Sequence, residues 1–372
     1  MLKILSIFGT RPEAIKMAPV ITGLRSHSDA ISSRVCITAQ HRELLDQVLA
    51  VFDIKPDYDL NIMQSGQSLS EVTSRVISQL DPLLEQERPD WVLVQGDTST
   101  TFAGALAAYY HRVKVGHIEA GLRTNNKWQP YPEEINRRMV SVLADLNFAP
   151  TQTSKSNLIA EGIDPDSIEV TGNTVIDALL MAVQKPFSFD KSVLADIPLE
   201  KEILLVTAHR RESFGKPLES ICKAVRTIAE ENVDSVHIVF PVHPNPQVRN
   251  TVYPLLGESS NISLIEPLDY LPFVHLLKKA HLVLTDSGGI QEEAPGLGKP
   301  VLVLRELTER PEGVQAGTVK LVGTDKARIV SEVNRLLGDQ DLYNEMAQAV
   351  NPYGDGKAAE RIVTTLLRTA EN

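Results

Sequence analysis

Short apolar runs punctuate the chain, and each one runs out into a polar turn: Ile4–Phe8, Val35–Thr38, Trp91–Val94, Lys114–Ile118, Ile203–Val206, Val236–Pro241, Leu282–Thr285 and Pro300–Leu304. Within a run the apolar character is nearly continuous rather than alternating, which marks strands covered on both faces. The segments between them carry helical spacing. Strand and helix in alternation predict an α/β fold built on doubly wound parallel sheets.

At 372 residues the chain is long enough for two domains of ordinary size. A boundary is expected between the turn Thr171–Asn173 and the polar stretch Lys185–Lys201, which contains Pro186 and Pro198. VCITAQHRE (Val35–Glu43) echoes LLVTAHRRE (Leu204–Glu212), and both are strands opening into basic loops, as in a duplicated architecture. A last helix, Gly356–Arg368, follows the turn-rich NPYGDG and is expected to cross back onto the first domain. In doubly wound sheets, ligands sit outside the carboxyl ends of the strands, so the loops there carry the chemistry.

Charge narrows the partners. Lys and Arg number 37 against 48 Asp and Glu, a formal net charge of −11, which disfavours nucleic acid or an anionic membrane surface as a partner. No stretch approaches the roughly 18 apolar residues of a membrane span. The N-terminal MLKILSIFGTRPE reads as a first strand rather than a signal peptide. Cys36 and Cys222 form no CxxC pair and read as small buried apolar residues, which suits a reducing cytoplasm.

Against that acidic background, basic residues collect at loop tips. GTRPEAIKMAP (Gly9–Pro19) follows the first strand and opens a helix, and it carries Arg11 and Lys16 where free N–H groups favour an anion. It matches neither the Walker spacing nor a GxGxxG fingerprint. VQGDTSTT puts Asp97 at a strand end, either as a helix cap or as a chemical group. GHIEAGLRT places Glu119 just past another strand, and YPEEINRR adds Glu133, Glu134, Arg137 and Arg138 at a helix start, where a carboxylate can simply complement the dipole. Neighbouring strands would bring Asp97, Glu119 and Glu133 together. Three carboxylates without Cys or His at metal-ligand spacing point to acid–base work and not to a metal site.

The second half supplies anion-binding chemistry. TAHRRESFG offers His209, Arg210 and Arg211 after a strand, and PVHPNP offers His243. In TDSGGIQEEAPGLGKP, Ser287, Gly288 and Gly289 open a helix and Glu292 and Glu293 follow within its first turns. Small residues let a diphosphate approach the helix start, and a carboxylate there can accept from ribose hydroxyls. Thr285 stands where the first Gly of a nucleophile elbow would be, so Ser287 is not read as a nucleophile. RELTERPEG adds Arg310.

Taken together, the segments FGTRPEAIKMAP, TAQHRELLDQV, GDTSTT, GHIEAGLRT, PEEINRR, TGNTVIDALL, AHRRESFG, HPNP, DSGGIQEEAP, GKPVLVLRELTERPE and NPYGDG occur in an order that resembles the non-hydrolysing bacterial UDP-N-acetylglucosamine 2-epimerases. The resemblance implies a GT-B architecture: two Rossmann-like domains facing a cleft, with residues 1–172 plus 355–372 as the first and 173–354 as the second. It implies UDP held by His209, Ser287, Gly288, Gly289, Glu293, Arg310, Arg11 and the backbone near Phe273. It makes Asp97, Glu119 and Glu133 the acidic catalytic positions, with Lys16, Arg137 and His209 beside them. Gln40, Gln67, Glu134, Arg211 and His243 match a pattern that binds a second substrate molecule as activator. The implied reaction interconverts UDP-GlcNAc and UDP-ManNAc for polysaccharide precursors, in the cytoplasm, as a homodimer, with no cofactor or metal. Tyr131 stands where relatives often carry Trp, Ile135 where they often carry Ala, and Asn125–Pro130 is differently composed. These departures lie near the sugar and leave another UDP-linked 2-acetamido sugar open; a GT-B glycosyltransferase, which would share the UDP-binding second half, is the other alternative.

The C2 hydrogen of a GlcNAc unit is not α to a carbonyl, so it must be loosened either by oxidation at C3 or by expelling UDP from C1. Without a dinucleotide fingerprint the sequence favours expulsion, which requires acid–base groups on opposite faces of C2. The sequence leaves open which of the three carboxylates takes which role.

Overall fold

A computed structural model describes residues 1–39, 42–64 and 66–370. The chain separates into two compact units, Met1–Met181 with Tyr353–Asn372, and Ala182–Pro352.

In the first unit, β1 (Leu2–Phe8), α1 (Arg11–Ser26), β2 (Ile31–Ile37), α2 (Arg42–Val51), β3 (Tyr58–Asp59), α3 (Leu69–Glu87), β4 (Trp91–Gln95), α4 (Ser99–Tyr110), β5 (Lys114–Ile118), α5 (Glu133–Leu143), β6 (Leu146–Ala149), α6 (Gln152–Ala160), β7 (Ile168–Val170) and α7 (Thr174–Val183) follow in order, α7 running across the division. The sheet order is β3-β2-β1-β4-β5-β6-β7, with every pairing parallel. The order reverses between β1 and β4, and their carboxyl ends are where such a sheet takes a ligand.

The second unit runs β8 (Glu202–Thr207), α8 (Lys216–Glu231), β9 (Val236–Pro241), α9 (Pro246–Leu256), β10 (Ile262–Ile265), α10 (Tyr270–Lys279), β11 (Leu282–Thr285), α11 (Gly288–Gly296), β12 (Val301–Val303), α12 (Pro311–Gln315), β13 (Val319–Leu321), α13 (Lys326–Gly338) and α14 (Gln340–Gln348). Its parallel sheet has the order β10-β9-β8-β11-β12-β13 and switches between β8 and β11. Both units are thus Rossmann-like. The echo between Val35–Glu43 and Leu204–Glu212 joins non-equivalent strands, however: β2 flanks the switch strand of its sheet, whereas β8 is the switch strand of the other.

Burial explains which strands were legible. Leu5, Ile7, Val92 and Val94 are all but inaccessible under α3 and α4, and Leu204, Val206, Ile238, Phe240, Leu282 and Leu284 are so under α8 and α13. Each such side chain contributes about 1.5–3 kcal/mol by leaving water. Strands β3, β6, β7, β10 and β13 are short and lie toward the edges, so they carry no extended apolar run. Cys36 and Cys222 are buried free thiols, as the sequence suggested.

The final helix, α15 (Ala358–Thr369), is part of the first unit. The buried carboxylate of Asp177 on α7 accepts from the N–H groups of Ala358 at 3.3 Å and Ala359 at 2.9 Å, which fastens the helix start. Ile362, Val363 and Leu366 then bury one face of it.

At the end of β1 the backbone passes so closely that a Cβ on Gly9 would meet Thr38 Oγ1 at 2.0 Å and Thr100 Oγ1 at 2.9 Å. Only glycine lets this loop, with Arg11 at its tip, lie against the β2 and β4 loops. Among the described residues no helix is long and apolar enough to cross a membrane.

Candidate active site

Adjacent strands β4 and β5 end together and deliver two of the three carboxylates. Glu119 is 9% exposed and its φ of +65° is unusual for a residue with a side chain, a conformation that costs on the order of 1–3 kcal/mol and must be held from outside. Side-chain donors reach its carboxylate: Lys16 Nζ at 2.5 Å and Asn173 Nδ2 at 3.0 Å on Oε1, and Gln95 Nε2 at 2.5 Å on Oε2. Lys16 comes from the first turns of α1, so the anion-loop helix and the acidic strand end are joined by an ion pair.

Asp97 follows Gly96, whose carbonyl accepts from His117 Nε2 at 2.7 Å, and its own carbonyl accepts from Asn136 Nδ2 at 2.9 Å. Capping α4 falls instead to Thr98, which accepts from the Thr101 N–H at 3.2 Å. The Asp97 carboxylate therefore has no capping duty; Arg137 Nε lies 3.3 Å from its Oδ2. Burial pushes the Asp97 carboxyl up to about 6, with Arg137 and Lys16 pulling it back and Glu119 and Glu133 pushing it further. A carboxyl near 6 can change protonation at working pH, which is what a proton-transfer group needs. His117 is fully buried and its desolvated ring is pushed down to about 4, so it stays neutral and acts as a donor to the loop.

Glu133 opens α5, and its Oε2 is buried with no hydrogen-bond partner among the described residues. An unmet carboxylate oxygen beside Asp97 and Arg137 is costly unless a ligand or proton meets it. Glu134 is wholly buried, with its carboxylate accepting from the N–H groups of Thr124 and Asn125 at 3.1 Å each and from Arg138 Nε at 3.3 Å. It ties down the loop that carries Trp128 and Tyr131, whose exposed rings lie 5.6 Å apart. The Gln67 amide bonds the loop around it, at Ile62 O and Gln64 N. Gln40 lies outside the described residues.

The second unit gathers cations at a helix start. Ser287 precedes α11 without a side-chain cap, leaving the helix N-terminus open to an anion. A Cβ on Gly288 would sit 3.6 Å from Arg210 Nη2 and 4.0 Å from Arg310 Nη2, so both guanidinium groups converge there. Glu292 holds Arg310 through its Nε, and Glu293 folds back to 3.4 Å from the Cβ position of Gly289. His209 lies after β8, stacked on exposed His243 with ring centres 5.6 Å apart. Arg211 is exposed in the same turn. Phe273 lies in the first turn of α10, where its N–H is used by the Asp269 carbonyl at 3.1 Å.

Sequence reasoning passed over Glu13, Gln95, His117, Asn136, Asn173 and Asp286. Glu13, 2% exposed, accepts from the Gly9 and Thr10 N–H groups and from the Thr98 and Thr101 hydroxyls, binding the Arg11 loop to the Asp97 loop. A polar residue closing an otherwise apolar strand, as Gln95 does in WVLVQ, is the signal that could have revealed one of them.

The chain is similar throughout to known proteins. A family model described as UDP-N-acetylglucosamine 2-epimerase matches residues 24–367. The UDP-N-acetylglucosamine 2-epimerase of Escherichia coli K12 is 55% identical over 371 residues, covering 98% of each chain. The crystal structure of the Neisseria meningitidis UDP-GlcNAc 2-epimerase, bound to UDP-GlcNAc, is 52% identical with a TM-score of 0.86 and covers 99% of this chain and 100% of its own. A putative UDP-N-acetylglucosamine 2-epimerase from Listeria monocytogenes gives a TM-score of 0.94 at 51% identity, covering 100% and 97%. Two Rossmann-like sheets of the GT-B class, with this breadth of identity, mean that the chain belongs to the UDP-N-acetylglucosamine 2-epimerase family.

Proposed function

We propose that the protein interconverts UDP-GlcNAc and UDP-ManNAc by expelling UDP and adding it back. The observation that carries this reading is the separation of chemistry along the chain. Titratable carboxylates gather at the switch point of one sheet, and an uncapped helix start ringed by arginines lies at the switch point of the other. The diphosphate lies on Gly288 and Gly289 with Arg210, Arg310 and His209 around it, and Glu293 takes the ribose hydroxyls.

As the C1–O bond breaks, its electron pair leaves with UDP, and cations preorganised at the phosphates stabilise the charge that develops. A carboxylate takes the C2 proton and 2-acetamidoglucal forms. UDP then re-adds at C1 while a second acid protonates C2 from the opposite face. Asp97 and Glu133 fit the two proton-transfer roles, because one sits near the working pH and the other has an oxygen unmet. Glu119, held by Lys16, Gln95 and Asn173, instead orients Lys16. Incubating the protein with UDP-GlcNAc alone and following UDP-ManNAc by NMR tests the assignment. Free ManNAc would indicate hydrolysis, and no turnover without an added acceptor would indicate a glycosyltransferase.

The same reading holds that a second UDP-GlcNAc activates the enzyme through Gln40, Gln67, Glu134, Arg211 and His243, which strictly hyperbolic kinetics would remove. It also predicts a homodimer, checked by sedimentation, working in the cytoplasm, checked by fractionation, and supplying an amino-sugar nucleotide to polysaccharide assembly, checked by polysaccharide loss in a deletion strain.

A further inference from the structure

Asp286 immediately precedes the Ser287–Gly289 helix start and is fully buried. Its Oδ2 accepts from the N–H groups of His209 and Arg210 at 2.8 Å each and from Ser213 Oγ at 3.3 Å. Its Oδ1 has no hydrogen-bond partner among the described residues, yet lies 3.3 Å from His209 Nδ1. A small ring rotation would align Nδ1–H with that oxygen, and a buried carboxylate oxygen left unmet favours the rotation.

We infer that Asp286 is a positioning residue that makes His209 bind the diphosphate as a cation, so that occupying the site takes up a proton. The inference rests on the reading of this helix start as the diphosphate site. With Nδ1–H directed at Asp286, the neutral ring presents a bare Nε2 lone pair, which repels a phosphate oxygen. Protonating Nε2 turns it into a charged donor. In the unliganded protein, burial holds His209 below its ordinary value; Asp286 opposes this, and His243 and Arg210 reinforce it. Among the described residues, these are the charged groups whose fields act on the ring. An arriving diphosphate adds negative charge on the Nε2 side, and ring protonation then follows binding. One proton moves from solvent to Nε2, and no bond in the nucleotide changes.

Calorimetric titration with the methyl ester of UDP tests this, since as a diphosphate diester it has no proton of its own to exchange near neutrality. Run near pH 7.5 in buffers of different ionisation enthalpy, the titration should show uptake approaching one proton per site, and affinity should fall as pH rises. In Asp286→Asn the amide oxygen keeps the two backbone donors while its NH₂ faces Nδ1, forcing the tautomer that already carries Nε2–H. Binding should then take up no proton, lose its pH slope, and be roughly fivefold to tenfold weaker near pH 6, where a neutral donor replaces a charged one. Ring ¹⁵N shifts of His209 in the wild-type complex read the same protonation without any variant, so a misfolded Asp286→Asn leaves the question decidable. Wild-type binding without proton uptake, a neutral ring in the complex, or an unchanged slope in Asp286→Asn would overturn the inference. Failure of the wild type to bind the ester at all would overturn the diphosphate site itself.

Discussion

Replacing Arg137 with Met should move a limb of the pH–rate profile upward from about pH 6. Arg137 Nε lies 3.3 Å from Asp97 Oδ2, and the Asp97 side chain is 28% exposed. Two unit charges at that distance interact by about 5 kcal/mol at an effective dielectric of 20, an upper bound for a site that water reaches. Partial hydration leaves about 1.5–3 kcal/mol, which at 1.36 kcal/mol per unit raises the Asp97 carboxyl by roughly one to two units. The limb should therefore fall near pH 7–8 in the variant. The assay is initial-rate UDP-ManNAc formation at low substrate across about pH 5 to about pH 9, because kcat/KM reports ionisations of the free enzyme. Activity lost on the acid side identifies Asp97 as the base in the assayed direction, and activity lost on the alkaline side identifies it as the acid. Total rate will fall because Arg137 is close to the chemistry, so the position of the limb is the readout. Arg137→Lys should return it most of the way. A profile flat through pH 6 in the wild type, or a limb unmoved in Arg137→Met, would refute the reasoning.

Other perturbations separate stability from chemistry. The folded-state Asp97 carboxyl is raised from 3.8 to about 6, so folding favours its protonated form, and this contribution to stability is lost as pH rises from about 4 through about 6. Asp97→Asn should accordingly unfold at higher urea near pH 7.5, by about 1–3 kcal/mol, while turnover falls by orders of magnitude. Gly288→Ala has ordinary contact space at its Cβ and no positive φ, so its melting temperature should hold while UDP affinity drops at least roughly tenfold, as titration calorimetry would show. Gln95→Leu removes a donor from buried Glu119 and should cost about 1–3 kcal/mol in chemical denaturation. Its kcat should fall further than that of Asn173→Ala, in which Lys16 still holds Oε1.

The central strands and the loops after them were legible because a buried parallel strand leaves an unbroken apolar run and its end is marked by a change to Gly, Thr or Asp. Val236–Pro241 and Leu282–Thr285 coincide with β9 and β11 for this reason. The edge strands were not, since Ile168–Val170 or Val319–Leu321 acquires its strand character from a neighbour rather than from its own composition. Within the site, the groups that meet a ligand announced themselves by charge at loop tips. Those that hold them did not. His117, Asn136 and Glu13 bond backbone carbonyls, N–H groups and hydroxyls that approach only once the sheet has formed, some 85 residues apart in the case of Glu13 and Thr98. Glu134, read as a helix-start carboxylate, is buried because two N–H groups of the Thr124–Asn125 turn need an acceptor.

Proton NMR of UDP-GlcNAc incubated with the protein in deuterium oxide tests the proposed chemistry most directly. Expelling UDP and reprotonating C2 from solvent predicts deuterium at C2 of UDP-ManNAc from the first turnovers and of UDP-GlcNAc as equilibrium is reached. Retention of the original C2 hydrogen through many turnovers, or turnover only when a nicotinamide is supplied, would contradict it.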